Sequence, residues 1–179
     1  MKKEYGIHGW LPGESIPELI SGIYQPVGIE IGTHLGHTTE YLLDVNPMLI
    51  LHGVDPYSAY TDWNNVRYSE EVKEKEYQDL LKLIEHNAAR YTHHRKTSDD
   101  AVSDFEDEGY DFIFIDGIHT YEQVIKDCRN YYPKLREGGL FCGHDMTAIA
   151  GVGKAVREFT ASIGKQISLA KQDVWYFYK

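Results

Sequence analysis

The chain is poor in the features that mark several protein classes. Two cysteines, Cys128 and Cys142, stand among 179 residues. They are too few for a disulfide scaffold and lack the paired spacing of a metal knuckle, so both read as reduced core thiols. No apolar run approaches the roughly 20 residues of a membrane span. The opening MKKEYGIHGWLPGES lacks the apolar centre of a secretion signal. The expectation is a cytoplasmic protein with no membrane partner. Basic residues are scarce, 18 Lys and Arg against 28 Asp and Glu for a formal charge of −10. That balance argues against a broad nucleic-acid surface and leaves room for a small local basic pocket. Internal repeats, low-complexity tracts and Pro/Gly/Ser linkers are missing too, so the chain reads as one domain, 1–179.

What is present is an alternation of strand and helix patterns. Five apolar stretches read as strands: Val27–Ile31, Leu49–Asp55, a weak one near Tyr91–Lys96, Tyr110–Asp116 and Leu140–Asp145. QISLA and VWYFYK add a closing hairpin, with Trp175, Tyr176, Phe177 and Tyr178 alternating between core and edge. Helices are expected after a Ser15–Glu18 capping box to about Tyr24, from His37 to Asp44, near Asp99–Phe105, after a Thr120–Gln123 cap, and from Gly153 to the Gly164 stop. The pattern predicts a three-layer α/β/α, Rossmann-like doubly wound sheet of seven mostly parallel strands, the last antiparallel. Residues 1–25 form a helical extension. Residues 56–90 form a lid and helix insertion between the second and third strands. Its second half carries Val72, Tyr77, Leu80, Leu81, Ile84 and Ala88 at helical spacing, and its EEVKEKE run reads as a solvated helix face.

The stretch GIEIGTHLGHTTEYLL shows a strand passing through a glycine turn into a helix, the usual cradle for a nucleotide at a helix N-terminus. A dinucleotide fingerprint needs G-x-G-x-x-G. Here Glu30 takes the first glycine's place, and Gly36 follows Gly32 one residue late. A carboxylate there repels a diphosphate and suits a ligand with a cationic end, an ammonium or a sulfonium. Thr33 lies inside the same turn. Asp55 ends the second strand 25 residues after Glu30, where an acid can hold both ribose hydroxyls.

These residues resemble the class I S-adenosylmethionine-dependent methyltransferases. EIGTHLGHTT is similar to their first motif, E-x-G-x-x-x-G, and VDPY to their second-strand acidic motif. KTSDDA sits where that family places an adenine-contacting loop. FIDGIHTYEQV, LREGGLFCGHD, GVGKAVREF and the opening HGWLPGE resemble a small branch related to macrolide and sugar O-methyltransferases. The resemblance implies that Glu30, Gly32 and Gly36 line the methionine end and Asp55 holds the ribose. It also implies that Tyr57 flanks the adenine, that Ser98 and Asp99 contact its edge, and that Asp116 and His119 face the transfer cleft. Metal-dependent relatives bind magnesium through carboxylates at the tips of the fourth and fifth strands, where Asp116 and Asp145 stand. Some carry a second acid beside the latter, where this chain has His144.

Methyl transfer from a sulfonium needs in-line geometry and a deprotonated acceptor. Asp116, His119, His144 and Asp145 offer two routes to the second. An imidazole can take the proton, or a divalent cation, Mg²⁺ or Mn²⁺, can acidify and orient the acceptor hydroxyl. Asp116, His144 and Asp145 are the candidate metal ligands, and Asp116, His119 and His144 the candidate catalytic groups. Duller roles stand beside these. Glu30 can cap its turn and His119 the following helix, while His144 can serve packing alone. Asp116 follows a fully apolar strand, where burying an idle acid is costly. His34 and His37 read as solvent-facing or capping, and His93 and His94 as surface residues on an edge strand. Tyr57, Tyr60, Trp63 and Tyr68 form either an acceptor lid, a packed loop or a dimer contact.

The expectation is S-adenosylmethionine-dependent methylation, at oxygen, of a small molecule. The competing readings are an NAD-linked Rossmann oxidoreductase, which Glu30 opposes, and a cofactor-binding module without chemistry.

Overall fold

The computed structural model describes Tyr5, residues 11–61 and residues 65–179. Trp63 and the His8–Trp10 part of the opening phrase lie outside the described residues. The central sheet is built from β1 (Val27–Ile31), β2 (Ile50–Val54), β5 (Tyr91–His94), β6 (Tyr110–Ile115), β7 (Leu135–Gly143), β8 (Ser168–Leu169) and β9 (Trp175–Tyr178), in the order β5-β2-β1-β6-β7-β9-β8. Strands β5, β2, β1, β6 and β7 pair in parallel, and β9 runs antiparallel to both β7 and β8. The expected seven-stranded, mostly parallel sheet is therefore the one observed. A separate two-stranded ribbon, β3 (Tyr60–Thr61) with β4 (Arg67–Tyr68), was not foreseen.

The apolar, β-branched strand sequences explain the buried centre. From Phe112 to Ile115, β6 is buried on both faces, as a parallel strand covered by helices must be. One face packs against α4 (Ser98–Ala101), α5 (Tyr121–Tyr131) and α6 (Ala150–Ser162) through Ile29, Ile113, Val124, Cys128, Val156 and Phe159. The other packs against α1 (Ile16–Leu19), α2 (His37–Val45) and α3 (Glu70–Leu83) through Ile16, Leu42, Leu80, Phe112 and Cys142. Both cysteines are buried and free.

Several local expectations change. The Ser15–Glu18 capping box does not form. Ser15 has helical φ/ψ as the end of a 3-10 turn (Pro12–Ser15), its side chain makes no cap, and α1 ends at Leu19. LREGG is not a turn before a strand but the first half of β7, which irregular pairing carries from Tyr110↔Leu135 to Phe112↔Leu140. Two capping expectations are met. Thr120 Oγ1 accepts from the Gln123 amide at 3.3 Å. After α6, the Lys165 and Gly164 amides return to the Thr160 and Ala161 carbonyls, with Gly164 at φ +68°, closing the helix in a Schellman turn.

The chain runs from β1 outward through β2 to β5, then crosses back to β6 on the other side of β1. The carboxyl ends of β1 and β6 are thus the switch point of the sheet, where such folds hold ligands.

Candidate functional site

A cavity of about 660 Å³ opens at this switch point. Its floor is the turn from β1 to α2. Gly32 has φ +89°, and a Cβ there would fall 2.2 Å from the Asp116 carbonyl oxygen. The turn after β1 and the turn after β6 touch at this glycine, and no larger residue lets them. Gly36 caps α2 with φ +77°, and a Cβ would meet Leu80 at 2.4 Å.

Glu30 lies on the wall, 1% exposed, with Thr39 Oγ1 donating to its Oε2 at 2.6 Å. Burial raises its carboxyl to about 8 despite the Thr39 bond, and the nearby Asp116 and Asp55 charges add to the rise. At that value the carboxyl is largely protonated at neutral pH. Asp55, just beyond β2, accepts the His34 amide on Oδ2 at 3.0 Å and the Tyr57 amide on Oδ1 at 2.9 Å. Those bonds aim the carboxylate along the cavity rim and leave a further lone pair on each oxygen. His93 Nε2 lies 3.0 Å from the Asp55 carbonyl, on the other side of the same segment.

Of the residues expected to bind a nucleotide, Glu30, Gly32, Thr33, Gly36, Asp55, Ser98, Asp99 and Asp116 all line the cavity. Tyr57 does not. It is fully buried with φ +45°. Its hydroxyl donates to the His34 carbonyl at 2.5 Å, with Thr33 Oγ1 at 2.8 Å. Its ring packs on Tyr77 and His93. The left-handed backbone turns the side chain under the first loop instead of over the cavity. Aromatic wall comes instead from Tyr60 and Tyr68, stacked at 5.0 Å.

Lys73 sits beside that pair, and its place corrects the reading of EEVKEKE as a solvated face. The side chain is buried and lines the cavity. Its Nζ is 2.6 Å from Glu76 and lies 4.9 and 4.8 Å from the Tyr60 and Tyr68 ring centres. Val72 and Leu81, expected on the inward face, are exposed. His34, expected to face solvent or cap, is exposed as expected and also borders the cavity, and His37, at the first position of α2, lines it too. His93 and His94 are half-buried, His94 Nε2 lying 3.2 Å from His52 Nδ1 and its Nδ1 3.0 Å from Asp104.

At one end, Ser98 Oγ donates to Asp127 Oδ1 at 2.6 Å, and Gln123 Nε2 donates to the same oxygen at 2.9 Å. Lys126 holds Asp99 at 2.6 Å. Burial raises the Asp127 carboxyl to about 6 against the Ser98 and Gln123 bonds. Gln123 and Asp127 both line the cavity; the sequence offered Gln123 only as a capping position and Asp127 not at all. Polar residues four apart on a helix look like solvated surface unless the neighbouring loop is known to cover them.

At the other end is the strand-tip cluster. His119 Nε2 lies 3.2 Å from both Asp116 Oδ1 and Asp145 Oδ2. His144 Nδ1 lies 3.5 Å from Asp116 Oδ1 and 3.3 Å from Asp145 Oδ1. Thr120 caps α5, so His119 is left to the cluster. Burial pushes the Asp116 carboxyl up, but its bonds to His119 and His144 outweigh that and hold it below the usual carboxylate range. Burial lowers both imidazoles, and the carboxylates more than reverse this, raising His119 and taking His144 to about 10. Ligand atoms of Asp116, His144 and Asp145 converge within 4.8 Å of one another. Two carboxylate oxygens and one imidazole nitrogen fit a hard or borderline divalent cation. Asp116 and His119 line the cavity, and His144 and Asp145, just past the end of β7, adjoin them.

Residues 29–146 match the model of a family described as a methyltransferase domain. Among solved structures, the chain is similar to a putative caffeoyl-CoA O-methyltransferase from Staphylococcus aureus, with a TM-score of 0.68, 14% identity, and coverage of 93% of this chain and 82% of that one. It is similar also to an O-methyltransferase from Bacillus cereus in complex with SAH, with a TM-score of 0.62, 16% identity, and coverage of 93% and 80%. At these identities the likeness is one of fold. Among curated proteins, an uncharacterized protein of Acanthamoeba polyphaga mimivirus is 27% identical over 114 residues, 62% of this chain. The chain spans 47% of that relative's length and 8% of an uncharacterized Sinorhizobium fredii protein, 35% identical over 69 residues. Among the described residues, no helix is long and apolar enough to cross a membrane.

Proposed function

The chain belongs to the methyltransferase-domain family whose model spans its residues 29–146, and from that premise we propose that it transfers a methyl group from S-adenosylmethionine to a hydroxyl of a small molecule. The observation that carries the reading is one continuous cavity. It joins Ser98 and Asp99 to Asp55, Asp55 to Glu30, and Glu30 to Asp116 and His119. Those groups suit, respectively, a base, a ribose, an ammonium and a reacting methyl.

In this reading Glu30 gives up its proton and pairs with the amino-acid ammonium of the donor, and the free lone pairs of Asp55 accept from the ribose hydroxyls. Asp116 and His119 border the point where the acceptor oxygen meets the methyl. His119 draws the acceptor proton once its grip on the two carboxylates is relaxed. Asp116, His144 and Asp145 are the residues that would hold a divalent cation, which when bound lowers the acceptor hydroxyl's pKa and orients it. Pro12, Tyr60 and Tyr68 from the N-terminal and 56–90 segments wall the cavity and act as the acceptor's lid.

Two measurements test this. Titration calorimetry with S-adenosylhomocysteine should give saturable binding that Asp55→Ala weakens at least tenfold; no heat with the wild-type protein overturns the reading. A screen of methyl transfer to hydroxylated small molecules, with and without EDTA, tests the chemistry. Activity unchanged by EDTA removes the metal, and saturable NADH binding in its place restores the oxidoreductase reading.

A further inference from the structure

The base end of the cavity is built from acceptors. Gln123 Nε2 faces three partners: Asp127 Oδ1 at 2.9 Å, Ser98 Oγ at 3.1 Å and Asp99 Oδ1 at 3.4 Å. Two are carboxylates, which only accept. The third is a hydroxyl whose proton is already given to Asp127 at 2.6 Å, so it too can only accept. The Gln123 amide therefore has one allowed orientation, with nitrogen toward the network and Oε1 away from it. Gln123 is half-buried and lines the cavity, so the oxygen turned from the network is an acceptor offered to a ligand. Asp127 adds a second sign of a missing donor. The residue is 1% exposed, lines the cavity, and its Oδ2 has no hydrogen-bond partner. A buried carboxylate oxygen without a donor is costly. Asp99, held by Lys126 at 2.6 Å, is a third acceptor group at this end.

We infer that Gln123, oriented by Asp127, is a specificity-determining residue that selects a donor whose purine carries a 6-amino group over one with a 6-oxo group. The inference rests on the S-adenosylmethionine reading above. An exocyclic amine offers hydrogens to this acceptor-lined end. A 6-oxo group instead puts a carbonyl against Gln123 Oε1 and moves that edge's N–H to N1, so the acceptor facing the 6-position is left unsatisfied. Sites built to bond a ligand's N–H discriminate strongly against the analogue that lacks it. Asp127 acts through Gln123 and Ser98 and is a positioning residue.

The test is calorimetry with S-adenosylhomocysteine and its 6-oxo analogue S-inosylhomocysteine. The wild-type protein should bind the amino form at least tenfold more tightly. Gln123→Leu, at a half-buried position, removes one of the two donors to Asp127 and should bring the two affinities within about threefold, chiefly by weakening the amino form. Asp127→Asn can turn an amide nitrogen into the oxygen's place and should shrink or invert the preference; a purely structural role would weaken both ligands alike and leave the ratio unchanged. Circular dichroism and thermal melts verify that each variant folds. Equal wild-type affinities, or a preference that survives Gln123→Leu, overturn this inference alone. If neither ligand binds the wild-type protein, the donor reading falls and this inference falls with it.

Discussion

Thr39 donates its hydroxyl to Glu30 across 2.6 Å, inside a wall that leaves Glu30 1% exposed. One neutral hydroxyl does not repay the desolvation of a carboxylate, and the Glu30 carboxyl is raised to about 8. Below about pH 4.5 the folded and unfolded chains both hold the proton, and the residue costs nothing. As pH rises, the unfolded chain releases it and the folded chain does not. Stability therefore falls between about 4.5 and 8, and the loss is constant beyond. Glu30→Gln should stabilise the empty protein by on the order of 3 kcal/mol near neutral pH and by nothing near pH 4. Chemical denaturation at the two pH values checks this, and an equal gain at both refutes the titration.

The same carboxyl makes ligand capture proton-linked. An ammonium entering beside Glu30 favours the ionised form, so binding near pH 7 expels close to one proton from this group. S-adenosylhomocysteine affinity should rise as pH approaches 8 and level off above it. Calorimetry in buffers of different ionisation enthalpy reads the proton directly. Glu30→Gln should abolish the release and weaken binding by roughly 2 kcal/mol, as expected for losing a buried charge-assisted hydrogen bond.

Lys73 provides a separate test, of the lid. Its ammonium joins Glu76 to the stacked Tyr60 and Tyr68 rings, tying the β3–β4 ribbon to α3. Lys73→Met keeps the stem and deletes the charge, leaving the half-buried Glu76 without this partner. The ribbon should loosen at a cost of roughly 1–3 kcal/mol. Limited proteolysis should then cut within residues 56–70 well before the rest of the chain. Unchanged cleavage would show that the ribbon is held by other contacts.

Much of the architecture was legible because it is written in short-range patterns. The apolar run Tyr110–Ile115, the glycines at 32 and 36 and the acid ending β2 each carry their meaning within a few residues, and their places in the sheet follow from the crossover rules. What was misread depends on contacts distant in sequence. Tyr57 is turned away from the cavity, with a positive φ unusual for tyrosine, where its hydroxyl reaches Thr33 and the His34 carbonyl of the first loop. Lys73 looks solvated in EEVKEKE because its rings come from a ribbon that the sequence does not announce. Gln123 and Asp127 gain their significance from Ser98, 25 and 29 residues earlier, whose hydroxyl meets both.

The strand-tip cluster yields a prediction that needs no acceptor. Asp116 and Asp145 are bridged by His119 and His144, so a divalent cation must compete with imidazole protons for the same carboxylates. A cation that binds the folded protein alone raises its melting temperature by mass action. Mn²⁺ or Mg²⁺ in millimolar excess should therefore stabilise the wild-type protein. The gain should grow from pH 6 to pH 8 as proton competition weakens. Asp145→Asn removes one of the three converging ligands and should lose most of the gain while leaving S-adenosylhomocysteine binding within about twofold, since Asp145 is not part of the cavity wall. Differential scanning fluorimetry with and without EDTA decides it. A cation response that Asp145→Asn leaves intact would place the metal elsewhere, and no response at any pH would leave the acceptor's proton to His119.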